Sequence, residues 1–210
     1  MEIVDAASGL VEAYLRVNGY LTLSEWQIQA LNHRGQWNTI TDVDILALRF
    51  PGDVYLADSH DPDFRSTLKV PGNLLMLEDG LIDVIIGEIK EGEAVLNPAM
   101  TRHETLHTVL HRLRWLYGDV GLNPVVVDLA ERGVSRTAAP DGAIIRTRLV
   151  AFGQAPQLTE NTIPIGMMLE EAVEFLGEHD ALLHSARFVN PVAATLKLLH
   201  KAGFGVRRER

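Results

Sequence analysis

Two stretches of this chain crowd their apolar residues as buried strands do. They read Thr41-Asp-Val-Asp-Ile-Leu-Ala-Leu-Arg49 and Asp83-Val-Ile-Ile-Gly-Glu-Ile-Lys-Glu-Gly92. Ahead of them, Leu10, Tyr14 and Val17 recur at helical spacing and Gly19 supplies a stop, which predicts a helix over 8–18. Residues 20–31 alternate well enough for a strand, His33-Arg-Gly-Gln36 suits a hairpin turn, and 39–50 form the next strand, ended by Pro51-Gly52. A third strand is expected over 81–90. The intervening 51–80 is long for a hairpin connection, so it must hold structure of its own or a functional loop.

Two further helix starts carry the same punctuation, an asparagine N-cap followed by a first-turn proline. Asn97-Pro98 opens a helix that Gly118 closes, and Asn190-Pro191 opens a C-terminal helix closed by Gly203. Between them, Pro124-Val-Val-Val-Asp128 reads as a strand by composition, 143–152 as another strand, and 169–177 as an amphipathic helix. The order is that of an α/β layer around a small mixed sheet. There is no internal repeat, low-complexity tract or evident linker.

Composition narrows the picture only moderately. A chain of 210 residues, 47% hydrophobic, can build one full core. No apolar run approaches the ~18 residues of a membrane span, and the N-terminus shows no secretory signal. With no cysteine, disulfides and thiolate metal sites are excluded, and a reducing, cytoplasmic location is expected. The net charge of −9 argues against indiscriminate binding to polyanions.

The chemistry concentrates on the two crowded strands. Side chains alternate with period two, so Glu88 and Lys90 point the same way. An acid and an ammonium at the end of a buried strand are costly unless something binds there. If the two strands pair, Asp44 joins Glu88 in a two-carboxylate pocket for a hard divalent cation, with Lys90 beside it to orient a water or steady a phosphate. Asp42 competes with Asp44 from one pleat away.

The helix, three strands and following helix, with Asp44 and Glu88-Ile89-Lys90 in place, resemble the PD-(D/E)XK nuclease superfamily of restriction endonucleases and Holliday-junction resolvases. The resemblance covers roughly residues 8–130. It implies an α/β fold with a restriction-endonuclease-like core (helix, three-stranded meander, helix, strand), interrupted by the insertion at 51–80 and followed by a C-terminal α/β extension, 131–210, packed on the same domain. It further implies a Mg²⁺- or Mn²⁺-dependent endonuclease acting on nucleic acid, DNA first, with a homodimer as one form. Asp44, Glu88 and the carbonyl of Ile89 would hold the cation, Lys90 would act on the attacking water, and Glu12 matches an extra acid on the first helix. Two departures stand out. Asp44 and Glu88 are 44 positions apart, longer than usual for this meander, and Val43 replaces the proline that names the family.

Two rival readings come from the same sequence. The fold could survive as a binding or assembly module without activity, since no basic groove is evident. Alternatively, His103-Glu104-Thr-Leu-His107 matches H-E-x-x-H, the zinc-peptidase helix. His111 extends that stripe, but three ligands on one straight helix cannot surround a tetrahedral ion, and no G-x-x-H extension follows. With Arg114, the same stripe could instead face phosphates. The loop Asp58-Ser-His-Asp-Pro-Asp63 lacks the glycine and terminal glutamate of a calcium loop, so it reads as solvated. Trp26, Trp37 and Trp115 are expected to pack in the core or at its edges, and 207–210 to form a frayed basic terminus.

Overall fold

The structure, a computed structural model, describes residues 5–31, 33–55, 67–68, 72–183 and 187–205. In chain order the helices and strands are α1 (Ala6–Val17), β1 (Leu21–Leu31), β2 (Trp37–Arg49), β3 (Val54–Tyr55), β4 (Thr67–Leu68), β5 (Leu81–Glu93), α2 (His103–His111), α3 (Arg114–Tyr117), α4 (Asn123–Arg132), β6 (Val134–Ala138), β7 (Ile144–Gln154), β8 (Thr162–Pro164), α5 (Ile165–Glu178), α6 (Asp180–Leu183) and α7 (Pro191–Lys201). Six strands form one mixed sheet. Its order is β1-β2-β5-β7-β6, with β8 alongside β7, while β3 and β4 pair apart from it. β1, β2 and β5 run antiparallel in succession, β5 and β7 are parallel, and β6 returns antiparallel at the far edge.

β5 is central because its sequence can be buried on both faces. Its first nine residues, from Leu81 to Ile89, are all buried, and the strand then runs out of the core with four exposed residues. One face takes Ile82, Val84 and Ile86, packed with Leu106, Val109 and Leu110 of α2 and Val125, Val126 and Leu129 of α4. The other takes Ile85 and Ile89, packed with Val11, Tyr14 and Leu15 of α1 and Met168 of α5. The result is a three-layer α/β/α arrangement, with α7 lying against α1 and α5. Asn190 caps α7 by accepting from the amides of Val192 and Ala193, and its own amide donates to the Gly9 carbonyl at 2.9 Å, tying the C-terminal helix to α1.

The lower end of β5 is held by a buried ionic cluster. Asp83 accepts from Arg146 Nε at 2.7 Å, Arg148 at 2.9 Å and the Tyr20 hydroxyl at 2.5 Å. Both guanidinium groups also donate to the Leu75 carbonyl, and Arg146 donates to that of Met76, which anchors the turn before β5. Burial pushes the Asp83 carboxyl up, but Arg148, Arg146 and Tyr20 together hold it below the usual carboxylate range.

Several expectations need correction. Residues 124–128 are not a strand but the first turns of α4. Pro124 sits in the opening turn, Gly133 at φ +72° forms the cap with its amide on the Leu129 carbonyl, and Val125, Val126 and Leu129 bury one helical face. A short β-branched run cannot be assigned by period alone, and here the flanking proline and glycine decide. The helix expected from Asn97 to Gly118 is also divided. Asn97 closes a local turn, its side chain accepting from the Ala99 amide and its carbonyl from that of Met100, so α2 begins only at His103. The strand that runs parallel beside β5 comes later, as β7. The stretch 131–210, expected as a packed extension, therefore contributes β6, β7 and β8 to the main sheet itself. Residues 58–63 and 207–210 lie outside the described residues.

Candidate active site

The site begins where the regular ladder between β2 and β5 stops. The last registered pair is Ile45 opposite Gly87. One residue further along β2 is Asp44, and one further along β5 is Glu88. On the other flank of β2, Ser24 lies opposite Ile45 and Trp26 opposite Val43, which leaves Asp44 and Glu25 outside the register. Glu25 has φ +55°, the left-handed region. Val43 and Leu46 both enter the same core cluster although three positions apart, so the face alternation of β2 slips at this point.

The slip gives Asp44 a task that a regular strand residue cannot perform. Its Oδ2 accepts from the Ile89 amide at 2.7 Å, replacing the backbone acceptor that β2 no longer supplies. Asp44 is thereby fixed against the backbone of the residue between Glu88 and Lys90.

Glu88 is 3% exposed, and Lys90 forms an ion pair with its Oε1. This agrees with the shared face expected for positions two apart. The Lys90 side chain remains 45% exposed. Glu88 Oε2 is buried and has no hydrogen-bond partner among the described residues. Burial raises the Glu88 pKa above the ordinary glutamate value, and the nearby negative charges of Asp44 and Asp42 add to the rise against the opposing effect of Lys90. The Lys90 ammonium is raised in turn, first by its bond to Glu88, then by the charges of Glu88 and Asp44 against the lowering effect of burial. Asp42, exposed on β2, thus belongs to the same electrostatic neighbourhood.

Gly87 makes the close approach possible, and the sequence pattern had not singled it out. A Cβ there would lie 2.6 Å from Ile45 Cγ2 and 2.8 Å from Phe152 Cε2, so both flanking strands press into the space a side chain would need. Glu12 is placed differently from the other candidates. Its Oε1 accepts from Arg16, Ser24 and Thr22, and none of these bonds reaches Asp44, Glu88 or Lys90. Ser24 lies opposite Ile45, the neighbour of Asp44.

The residues present fit a hard cation through oxygen ligands: one orphaned buried carboxylate oxygen, a second carboxylate on the adjacent strand, and a cluster whose negative charge is only partly offset by Lys90. Among the described residues no group of three or more His, Cys, Asp or Glu side chains converges as a metal site. That bears on the rival peptidase motif as well. His103, Glu104, His107 and His111 are all exposed along α2, with the His107 and His111 rings stacked at 6.3 Å. The tryptophans divide. Trp26 packs against the core under Arg112, whereas Trp37 and Trp115 are 66% and 60% exposed rather than packed away. Among the described residues no helix is long and apolar enough to cross a membrane. Compared with family models, curated proteins and solved structures, the chain matches none.

Proposed function

We propose that this protein is a Mg²⁺- or Mn²⁺-dependent nuclease of the PD-(D/E)XK type, hydrolysing phosphodiester bonds of nucleic acid, with DNA the first substrate to test. The observation that carries the reading is the unpartnered, buried Oε2 of Glu88 beside Asp44. A buried acceptor left without a donor costs on the order of 1–3 kcal/mol, and a ligand on that oxygen removes the cost. Asp44, Glu88 and the Ile89 carbonyl would hold the cation. Bound there, it would supply positive charge to the phosphate and make a water more acidic.

The protein's own groups do the rest. Lys90 Nζ, anchored on Glu88 Oε1 yet nearly half exposed, is free to donate a hydrogen bond that orients the attacking water or that stabilises the phosphate oxygen on which charge develops. Asp44 is held by the Ile89 amide and so cannot swing away from Glu88. Hydrolysis adds water across one P–O bond: the water oxygen bonds to phosphorus, and the leaving oxygen departs and takes up a proton.

The test is Lys90→Ala. A lysine beside a cation opposes its binding, so the variant should bind Mn²⁺ by calorimetry at least as tightly as the parent. It should lose about 100-fold or more in single-turnover cleavage, in the range of general acid–base or electrostatic catalysis. Cleavage at the parental rate would remove Lys90 from the chemistry. A parent that cleaves no DNA or RNA substrate with either cation would favour the inactive binding module.

A further inference from the structure

The chain is acidic overall, yet residues 101–118 carry three arginines and three histidines against the single Glu104. The fold does not scatter them. His103 and His107 line a depression between α2 and α4, and His107, His111, Arg114 and Trp115 line a second that adjoins it; His107 and Asn123 are common to both. The two adjoin in one open groove whose wall carries Arg114, three histidines, Asn123 and one acid, Glu104, with an indole at one end. Arg114 forms no ion pair or side-chain hydrogen bond among the described residues, and Trp115 is 60% exposed. Arg114 is thus left to solvent beside an indole that is covered on one side only, where it adjoins Phe50, Ile82 and Pro140.

The indole end of the groove lies beside Phe50 and Ile82, at the end of the β2–β5 ladder away from Asp44 and Glu88. At the C-terminal end of α2, Arg112 stacks over the Trp26 ring, 4.1 Å from its centroid. Trp26 lies opposite Val43, the residue before Asp44. Arg112 and Trp26 thus tie α2 to β1.

We infer that this groove is the track for a single-stranded polynucleotide segment, with phosphates on Arg114 and the histidine stripe and one base stacked on Trp115. The inference rests on the nuclease reading and deepens it by naming the strand state of the bound segment. Phosphate recognition needs donors spaced along a surface, which the stripe provides from consecutive helical turns. A base can stack on an exposed indole only if it is not already paired and stacked within a duplex, which is what selects a single strand here.

The experiment uses full-length protein carrying Glu88→Gln, in EDTA, so that no probe is cut. Fluorescence anisotropy is measured with a labelled twelve-nucleotide oligo-dT and with a blunt duplex of equal length. Trp115→Ala should weaken oligo-dT binding about tenfold and leave duplex binding unchanged, while Trp115→Tyr restores most of the loss. Arg114→Ala should reduce the salt dependence of oligo-dT affinity by about one phosphate contact. Oligo-dT binding that ignores Trp115, or duplex binding that falls equally, overturns the proposal. The parent's cleavage assay keeps the two readings apart. Trp115-dependent binding by a parent that cuts nothing supports the track and removes hydrolysis; cleavage with Trp115-independent binding overturns the track and leaves hydrolysis standing.

Discussion

Replacing Glu88 by glutamine should make the cation-free protein more stable and cation-insensitive, and the size of both effects follows from the site. The Glu88 carboxyl is buried, faces the charges of Asp44 and Asp42, and has no donor to Oε2 among the described residues. Removing a buried charge that lacks a donor and faces two further acids is worth about 1–3 kcal/mol. Against this stands the weakened bond to Lys90, whose half-exposed ammonium makes the pair worth about 0–1 kcal/mol. The net gain should be roughly 1 kcal/mol, or about 2–4 °C in Tm for a chain of this size. A cation held by Asp44 and Glu88 reverses the order. At about one hundred times its Kd, Mn²⁺ should stabilise the parent by roughly 2.7 kcal/mol, which raises Tm by about 5–10 °C, and should leave Glu88→Gln where it was.

The pH dependence supplies an internal control. Because the Glu88 pKa is raised in the fold, the native state retains a proton there at pH values where the unfolded chain has released it. The penalty therefore grows as pH rises above the ordinary glutamate value of 4.5 and is lost as pH falls below it. The advantage of Glu88→Gln should accordingly vanish near pH 4. Melting curves of both proteins at two pH values, with EDTA and with Mn²⁺, would measure all of this in one set. A variant less stable than the parent at pH 7, together with equal Mn²⁺ shifts in both, would refute the argument that this carboxylate is poised for a cation.

Two other perturbations probe the frame. Gly87→Ala drives a methyl group into Ile45 and Phe152 from β2 and β7, so it should cost about 1–3 kcal/mol by overpacking. It should also depress cleavage beyond that loss, because Ile45 and Gly87 form the last registered pair before Asp44 and Glu88; urea denaturation alongside cleavage separates the two effects, and full stability would show that the strands part easily. Asp83→Asn leaves Arg146 and Arg148 buried without their counter-charge and should cost about 3–5 kcal/mol. Since the Asp83 pKa is depressed in the fold, its stabilisation is full above the ordinary value of 3.8 and fades as pH falls through the folded one. Parent and variant should therefore differ strongly at pH 7 and converge in strong acid, and a loss below about 1 kcal/mol at pH 7 would contradict the role given to the cluster.

Much of the candidate site was legible because it depends on period alone. Glu88 and Lys90 had to share a face, and two crowded apolar strands joined by a turn-bounded segment were natural neighbours. The slip at Asp44 was not legible. It arises from Glu25 adopting a left-handed φ without being glycine and from β5 running on past its partner, neither of which leaves a mark on residue types. The α4 error has a different origin: three consecutive valines suggest a strand by propensity, while the helix is decided by what they pack against. β6 was invisible for a related reason. Val134-Ser-Arg-Thr-Ala138 is short and polar, and it becomes a strand only because β7 offers an edge.

β5 carries two buried carboxylates, and the contrast between them is the strongest internal argument for function. Asp83 and Glu88 lie five residues apart on one strand, 1% and 3% exposed, so solvent access alone would treat them alike. Yet their pKa values move in opposite directions. Asp83 has two arginines and a tyrosine hydroxyl bonded to its two oxygens, and its charge is compensated from within the chain. Glu88 has one half-exposed lysine on one oxygen, nothing on the other, and two further acids nearby. A fold able to satisfy a buried carboxylate as fully as it satisfies Asp83 had the means to do so again. Glu88 is left short of positive charge at the point where β2 and β5 separate, and the melting experiment on Glu88→Gln measures whether a cation from outside the chain makes up the difference.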